Sequence, residues 1–215
     1  MLKFAQKICS LQAERYKNCY IGRISYTRLR HTKSDLTSKL NLTVVKQTKT
    51  RETIRICQNS EQGECLAYME VLLFYASNNT DQPSVPKQAG VLPPKLQKWR
   101  SFTVQQIWDY SSLVQDSNPL HLGANPVVQG FLLFETLYKD KQEPDKLIMH
   151  FHTSIFANTE IYLQESKKHD GQTNLSSTND NFKSTGNDQD GFMCSAFSSS
   201  GVHFFSATVY PSYGN

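Results

Sequence analysis

Gln115-Asp116-Ser117-Asn118-Pro119-Leu120-His121 is the stretch of this 215-residue chain whose residue types and spacing suit chemistry best. A carboxylate at Asp116 and an imidazole at His121 lie five positions apart across an Asn118-Pro119 turn. The proline ring fixes one backbone dihedral, and the asparagine side chain readily bonds the backbone ahead of it, so the spacer is stiff. Soon afterwards Val127-Val128-Gln129-Gly130 leads into the apolar run Phe131-Leu132-Leu133-Phe134, which reads as a buried helix opening at Gly130. A helix start carries N–H groups without partners inside the helix. An acid, a base and such amides are the parts needed to move a proton beside a carbonyl on which negative charge develops. Each residue alone has a plainer use. Asp116 would end a helix, His121 would be a half-buried structural histidine, Asn118 and Pro119 would hold a turn, and Gly130 would allow close packing. Their succession is what favours a site.

The elements that must position these residues can be read around them. Thr103 is suited to cap a helix over VQQIWDYSSLVQ, with apolar positions at 104, 107, 108 and 110–114, and the Asp-Ser-Asn-Pro turn stops it. Trp99 and Trp108 are expected to bury against this helix and a sheet. Upstream, Leu2–Cys19 reads as a short helix. LNLTVVKQTKTRETIRIC (40–57) reads as an extended run, QNSEQGE (58–64) as a polar turn, and CLAYMEVLLFYA (65–76) as a second strand covered on both faces. Downstream, LIMHFHTSIFANTEIYLQ (147–164) is extended, and FMCSAFSSSGVHFFSATVY (192–210) is a hairpin around Ser199-Ser200-Gly201. The two halves echo each other in ending on an aromatic-rich strand.

The Pro-rich stretch around 81–95 marks a linker between a unit at 1–80 and a unit at 96–213. Residues 165–191 have almost no apolar side chains and read as a disordered insertion. The net charge of +4 hides an asymmetry: residues 1–60 carry 13 Lys/Arg against 3 Asp/Glu, and the remainder carries 10 against 16. A basic N-terminal half fits nucleic acid, a CoA phosphate, an acidic carrier protein, or simply a solvated face. The five cysteines, Cys9, Cys19, Cys57, Cys65 and Cys194, are odd in number and contain no CxxC, which argues against a disulfide framework or a zinc knuckle and for reduced, mostly buried thiols. His150 and His152 share a face if their segment is a strand, but no third ligand has metal-site spacing. No serine sits in a GxSxG elbow, and no run is long enough to span a membrane.

The stretch from Ser101 to Glu135 resembles the MaoC-like hydratase/dehydratase family. The family turn, Gly-Asp-x-Asn-Pro-x-His, is matched by Asp116, Asn118, Pro119 and His121. Its following Val-x-His-Gly run is matched, apart from Gln129, by Val127-Val128-Gln129-Gly130. The resemblance implies an α+β hot-dog fold, an antiparallel sheet wrapped around a central helix, and the two-unit layout resembles the double hot-dog subgroup. In that subgroup the C-terminal unit carries the catalytic pair and a degenerate N-terminal unit helps house the acyl chain. The chain departs from the pattern in three places. Gln115 stands at the family's glycine, Gln129 replaces the histidine before Gly130, and only seven residues separate His121 from Gln129, where a longer segment is usual.

The implied activity is that of a (3R)-hydroxyacyl-thioester dehydratase or trans-2-enoyl-thioester hydratase of fatty-acid metabolism. Asp116 and His121 would be catalytic, the Gly130 amide would polarise the carbonyl, and Asn118, Pro119 and Gln129 would support them. The implied substrate is an acyl-CoA or acyl-acyl-carrier-protein, with no metal, flavin or nicotinamide required. The chain is expected in the mitochondrial matrix or cytoplasm, not secreted and not inserted in a membrane, and a homodimer is compatible with it. Two alternatives stay open: a non-catalytic acyl-thioester-binding or scaffold protein, and, more remotely, a nucleic-acid-binding module.

Overall fold

The computed structural model describes residues 1–11, 19–30, 39–75, 95–167 and 191–212. Nine strands form one sheet in which every neighbouring pair is antiparallel. They are β1 (Cys19–Arg28), β2 (Lys39–Gln47), β3 (Arg51–Asn59), β4 (Cys65–Tyr75), β5 (Gln97–Arg100), β6 (Lys146–Phe151), β7 (Ile161–Lys167), β8 (Phe192–Phe197) and β9 (His203–Tyr210). Among the described residues three α-helices accompany them: α1 (Leu2–Cys9), α2 (Val104–Val114) and α3 (Gly130–Asp140).

The spatial order β2-β3-β4-β1-β6-β9-β8-β7-β5 contains one succession twice. A helix is followed by four strands, α1 then β1–β4 and α3 then β6–β9, and the two sets meet where β1 pairs with β6. The register is set by the apolar pattern. Ile24 and Tyr26 lie opposite Val71 and Met69 on one side and Met149 and Leu147 on the other. Ile54 and Ile56 continue the same face through β3, and Ala207, Val209 and Cys194 through β9 and β8. A slip by one residue would turn this whole set to solvent. The helices cover that face. Phe131, Leu133, Phe134, Leu137 and Tyr138 of α3 are buried on it, each large side chain contributing about 2 kcal/mol. This is the α+β hot-dog arrangement that the motif resemblance implied.

Several expectations change. The N-terminal helix stops at Cys9, where Ser10 caps it; residues 12–18 lie outside the described residues. The extended run 40–57 is two strands, because Thr48 Oγ1 accepts N–H bonds from Thr50 and Arg51 and closes a turn. β4 is flanked by strands on both sides, but along it burial alternates: Ala67, Met69, Val71 and Leu73 are buried, whereas Phe74 is exposed. The run 147–164 divides into β6 and β7. Trp108 is exposed, since α2 buries the stripe Ile107, Tyr110, Ser111 and Val114 and position 108 lies off it. Trp99 packs edge-on against Phe102 and Phe205, and its indole N–H donates to Asp140 at 2.7 Å. The expected insertion at 165–191 begins too early, because β7 continues to Lys167. The rest of it, residues 168–190, and nearly all of the 81–95 linker lie outside the described residues. None of the five cysteines is in a disulfide, and of them only Cys194 is fully buried. Among the described residues no helix is long and apolar enough to cross a membrane.

Candidate active site

The Thr103 hydroxyl accepts the Gln106 N–H while the Gln106 side chain accepts the Thr103 N–H, the reciprocal capping box that starts α2. The helix ends because Gln115 takes the left-handed conformation, φ 59° and ψ 38°. That lets the Asp116 N–H close back onto the Ser111 carbonyl at 2.8 Å. The family's glycine belongs at this position for the same reason: only glycine adopts it without Cβ strain.

From there two side chains shape the turn in succession. Asp116 Oδ1 accepts the Asn118 N–H at 3.0 Å, and Asn118 Oδ1 accepts the Leu120 N–H at 3.1 Å. Pro119 then opens a single 3-10 turn, Pro119–His121, and the His121 N–H donates to the Asn118 carbonyl at 3.0 Å. Asn118 and Pro119 thus hold the turn between Asp116 and His121. His121 Nδ1 lies 2.7 Å from the Val127 carbonyl oxygen. A carbonyl only accepts, so Nδ1 carries a proton and the neutral ring presents Nε2 bare. Nε2 stands 3.7 Å from Asp116 Oδ2, and the two side chains are 13% and 17% exposed. In that neutral state two acceptor atoms face each other across a gap too wide for a direct hydrogen bond. A hydroxyl or water between them could satisfy both.

Gln129, the residue before the start of α3, lies between α2 and α3. Its side chain is buried between helices, where Nε2 donates to the Ile107 carbonyl at 3.1 Å and to Ser111 Oγ. It ties the start of α3 to α2, while its Oε1 is buried without a partner. Ser111, which sequence alone does not single out, is the other half of this tie. Gly130 follows as the first residue of α3. A Cβ there would stand 3.2 Å from Ile21 Cδ1 and 3.3 Å from Phe151 Cζ, so the bare α-carbon leaves room beside the helix start.

Asp116, His121 and Gly130 line one cavity of about 890 Å³. Its apolar wall comes from both halves of the sheet and from α1 and α3: Ile8, Ile21, Leu73, Phe131 and Phe151. Cys9 also lines it. Burial, with a smaller contribution from the Asp116 charge, pushes the Cys9 thiol up to about 12, so it stays protonated and is no nucleophile near neutrality. The cavity reaches a split in the sheet. β1 pairs with β6 from Arg23 to Thr27 only, and Cys19–Gly22 and Phe151–Ile155 diverge on either side of the opening.

His150 sits on the outer sheet face opposite Ser206, and His152 Nε2 lies 3.0 Å from Ser206 Oγ. Among the described residues no cluster of three His, Cys, Asp or Glu side chains is arranged to hold a metal ion. The basic N-terminal half is partly neutralised: Arg30 pairs with Glu64, Arg55 with Glu70, and Arg28 with Asp145.

No family model and no curated protein sequence matches the chain. Solved structures do. HtdX from Mycobacterium tuberculosis is similar over 92% of this chain and 78% of its own, with a TM-score of 0.59 and 12% identity. A MaoC-like dehydratase from Phytophthora capsici is similar over 91% and 72%, with a TM-score of 0.54 and 14% identity. An acyl-ACP thioesterase from Bacteroides thetaiotaomicron is similar over 89% and 75%, with a TM-score of 0.52 and 9% identity. At such identities the likeness concerns architecture: this chain has the hot-dog-like fold found in MaoC-like dehydratases and in an acyl-ACP thioesterase.

Proposed function

We propose that the chain is a double hot-dog hydratase/dehydratase that interconverts (3R)-hydroxyacyl and trans-2-enoyl thioesters. The observation that carries this is the facing pair His121 Nε2 and Asp116 Oδ2, 3.7 Å apart in a cavity shared with the amide end of α3. Two acceptors so placed suit a water molecule or a substrate 3-hydroxyl.

In the hydration direction the water held by Asp116 and His121 adds through its oxygen to C3 of the enoyl chain. One of the two side chains takes its proton, and a proton is delivered to C2. Negative charge builds on the thioester oxygen as the new bond forms, and the Gly130 N–H at the helix start is suited to meet it. Dehydration is the reverse. The flat approach to Gly130 left by its missing Cβ accommodates the carbonyl, and the apolar wall from α1, β1 and β4 accommodates the acyl chain. This division of labour treats residues 1–80 as the degenerate unit and 96–213 as the catalytic one.

A second reading, acyl-thioester binding without turnover, is favoured by one feature. The connection from His121 to Gln129 is short, and Leu122 to Asn125 within it are exposed instead of closing over the pair. Loss of the conjugated enoyl-thioester absorbance on hydration, followed for short-, medium- and long-chain thioesters, separates the two. No turnover on any of them, with binding retained, leaves only the second reading. Release of free thiol without hydration would instead point to thioester hydrolysis.

A further inference from the structure

The join between the two sheet halves carries a second cluster of polar groups, on the face away from the core. Arg23 and His150 are the last pair before β1 and β6 diverge. His150 lies opposite Ser206, His152 Nε2 is 3.0 Å from Ser206 Oγ, and the His152 and His203 rings lie 4.4 Å apart, with His203 stacked on Phe197 at 4.8 Å. Two atoms here are buried with no partner, Arg23 Nε and His203 Nε2. An unpartnered guanidinium N–H is a costly thing to bury, and it marks a place where an acceptor belongs. No acceptor comes from the neighbouring strand. Glu70, on β4 opposite Ser25, is bonded to Arg55. Burial lowers the pKa of all three imidazoles, the Arg23 charge further lowers that of His150, and mutual repulsion further lowers that of His152. The cluster is therefore one charged guanidinium among largely neutral imidazoles, and among the described residues no carboxylate is bonded to it. It also stands at the edge of the split: Gly22, next to Arg23, and His152 both line the cavity.

We infer that Arg23, His150, His152 and His203 form an anion site at the cavity mouth, which takes the phosphate of a phosphopantetheine arm whose thioester end reaches Asp116 and His121. This rests on the acyl-thioester reading above. A single phosphate is common to CoA and to the carrier-protein arm, and it would supply acceptor oxygens for the orphaned Arg23 N–H and for histidine N–H groups. The requirement for one particular acceptor chemistry, at one end of the cavity, gives the arm a direction: phosphate at the sheet split, acyl group against the apolar wall.

The test is calorimetric binding to the full chain of pantetheine, 4′-phosphopantetheine and CoA, with inorganic phosphate as competitor. The wild type is expected to bind 4′-phosphopantetheine at least about tenfold tighter than pantetheine, one charge-assisted contact being worth that much. Arg23→Gln and His152→Gln should each shrink the difference, and Arg23→Lys should restore part of it. Thermal melting of each variant checks that the sheet is intact. Equal affinity for the two arms in the wild type, or a difference that survives both Gln variants, overturns the site. CoA binding no tighter than 4′-phosphopantetheine confines it to the shared phosphate; tighter CoA binding that Arg23→Gln abolishes extends it to the nucleotide phosphates. Wild type that prefers the phosphorylated arm yet turns over no thioester keeps the site and removes the proposed activity.

Discussion

The His121 ring is held by the Val127 carbonyl at 2.7 Å, and this single bond decides which nitrogen faces Asp116. With Nδ1 committed to the backbone, Nε2 is the atom that can accept a proton or return one. Val127 can do this because its own N–H is bonded to the Leu120 carbonyl at 2.8 Å, and Val128 is bonded to Ile155. The short connection thus has a rigid end even though its middle is exposed. The histidine is oriented by backbone, and the carboxylate opposite remains available to substrate.

If the pair transfers protons, its two members fail in the same way. Asp116→Asn and His121→Ala should each lower turnover by about a hundredfold or more. Asp116→Asn keeps an oxygen for the Asn118 N–H, so its melting temperature should stay near that of the wild type. Hydration rates of purified variants with intact melting curves provide the check. Normal rates in both would move the chemistry elsewhere.

Gln115 lines the cavity but makes no side-chain hydrogen bond to Asp116 or His121, so it allows a test of the local fold. A non-glycine residue at φ 59° is strained by about 1 kcal/mol. Gln115→Gly should relieve most of that and raise the melting temperature by about 2–4 °C, at unchanged turnover. A lower melting temperature would mean that the glutamine side chain contributes contacts outweighing the strain.

The Cys9 thiol has its pKa raised to about 12, so almost none of it is thiolate at pH 7 to 8. Alkylation by iodoacetamide in the native protein should be much slower than in the unfolded chain, and Cys9→Ser should keep normal turnover. Because the neutral form is favoured by folding, the thiol contributes to stability below its unfolded pKa near 9. That contribution is lost as pH rises from there towards 12. Rapid native alkylation at neutral pH, mapped to Cys9 by mass spectrometry, would contradict this.

The helix–turn–helix that builds the site is legible because its signals are local. The Thr103–Gln106 box, the Asx turns at Asp116 and Asn118, and the apolar run after Gly130 each act within a few residues. The N-terminal strands carry a weaker local signal. The turn at 48–50 has neither glycine nor proline and is closed by a threonine hydroxyl, so 40–57 reads as one run. The join of β1 to β6 pairs residues about 120 positions apart, and no local pattern announces such a partner. Gln129 shows a third limit. Sequence places a polar residue before the helix start, but only packing shows that its side-chain amide reaches back to Ile107 and Ser111.

Gly130 separates a functional glycine from a packing one. Alanine is the better helix former, so Gly130→Ala should stabilise the first turn of α3 by a few tenths of a kcal/mol. Against that, its methyl group would meet Ile21 Cδ1 at 3.2 Å and Phe151 Cζ at 3.3 Å. Both contacts are with side-chain ends that can shift by a few tenths of an ångström, so the melting temperature should change by no more than a degree or two. The cavity beside the helix start would nonetheless be narrower where the thioester carbonyl has to approach the amide. Turnover should therefore fall about tenfold or more, through kcat and kcat/KM together, because the interaction lost is strongest as charge develops on the oxygen. A variant that melts normally and hydrates normally would show that Gly130 serves packing alone, and the carbonyl would need another donor. A variant that loses rate without losing stability would place the acyl carbonyl against the start of α3.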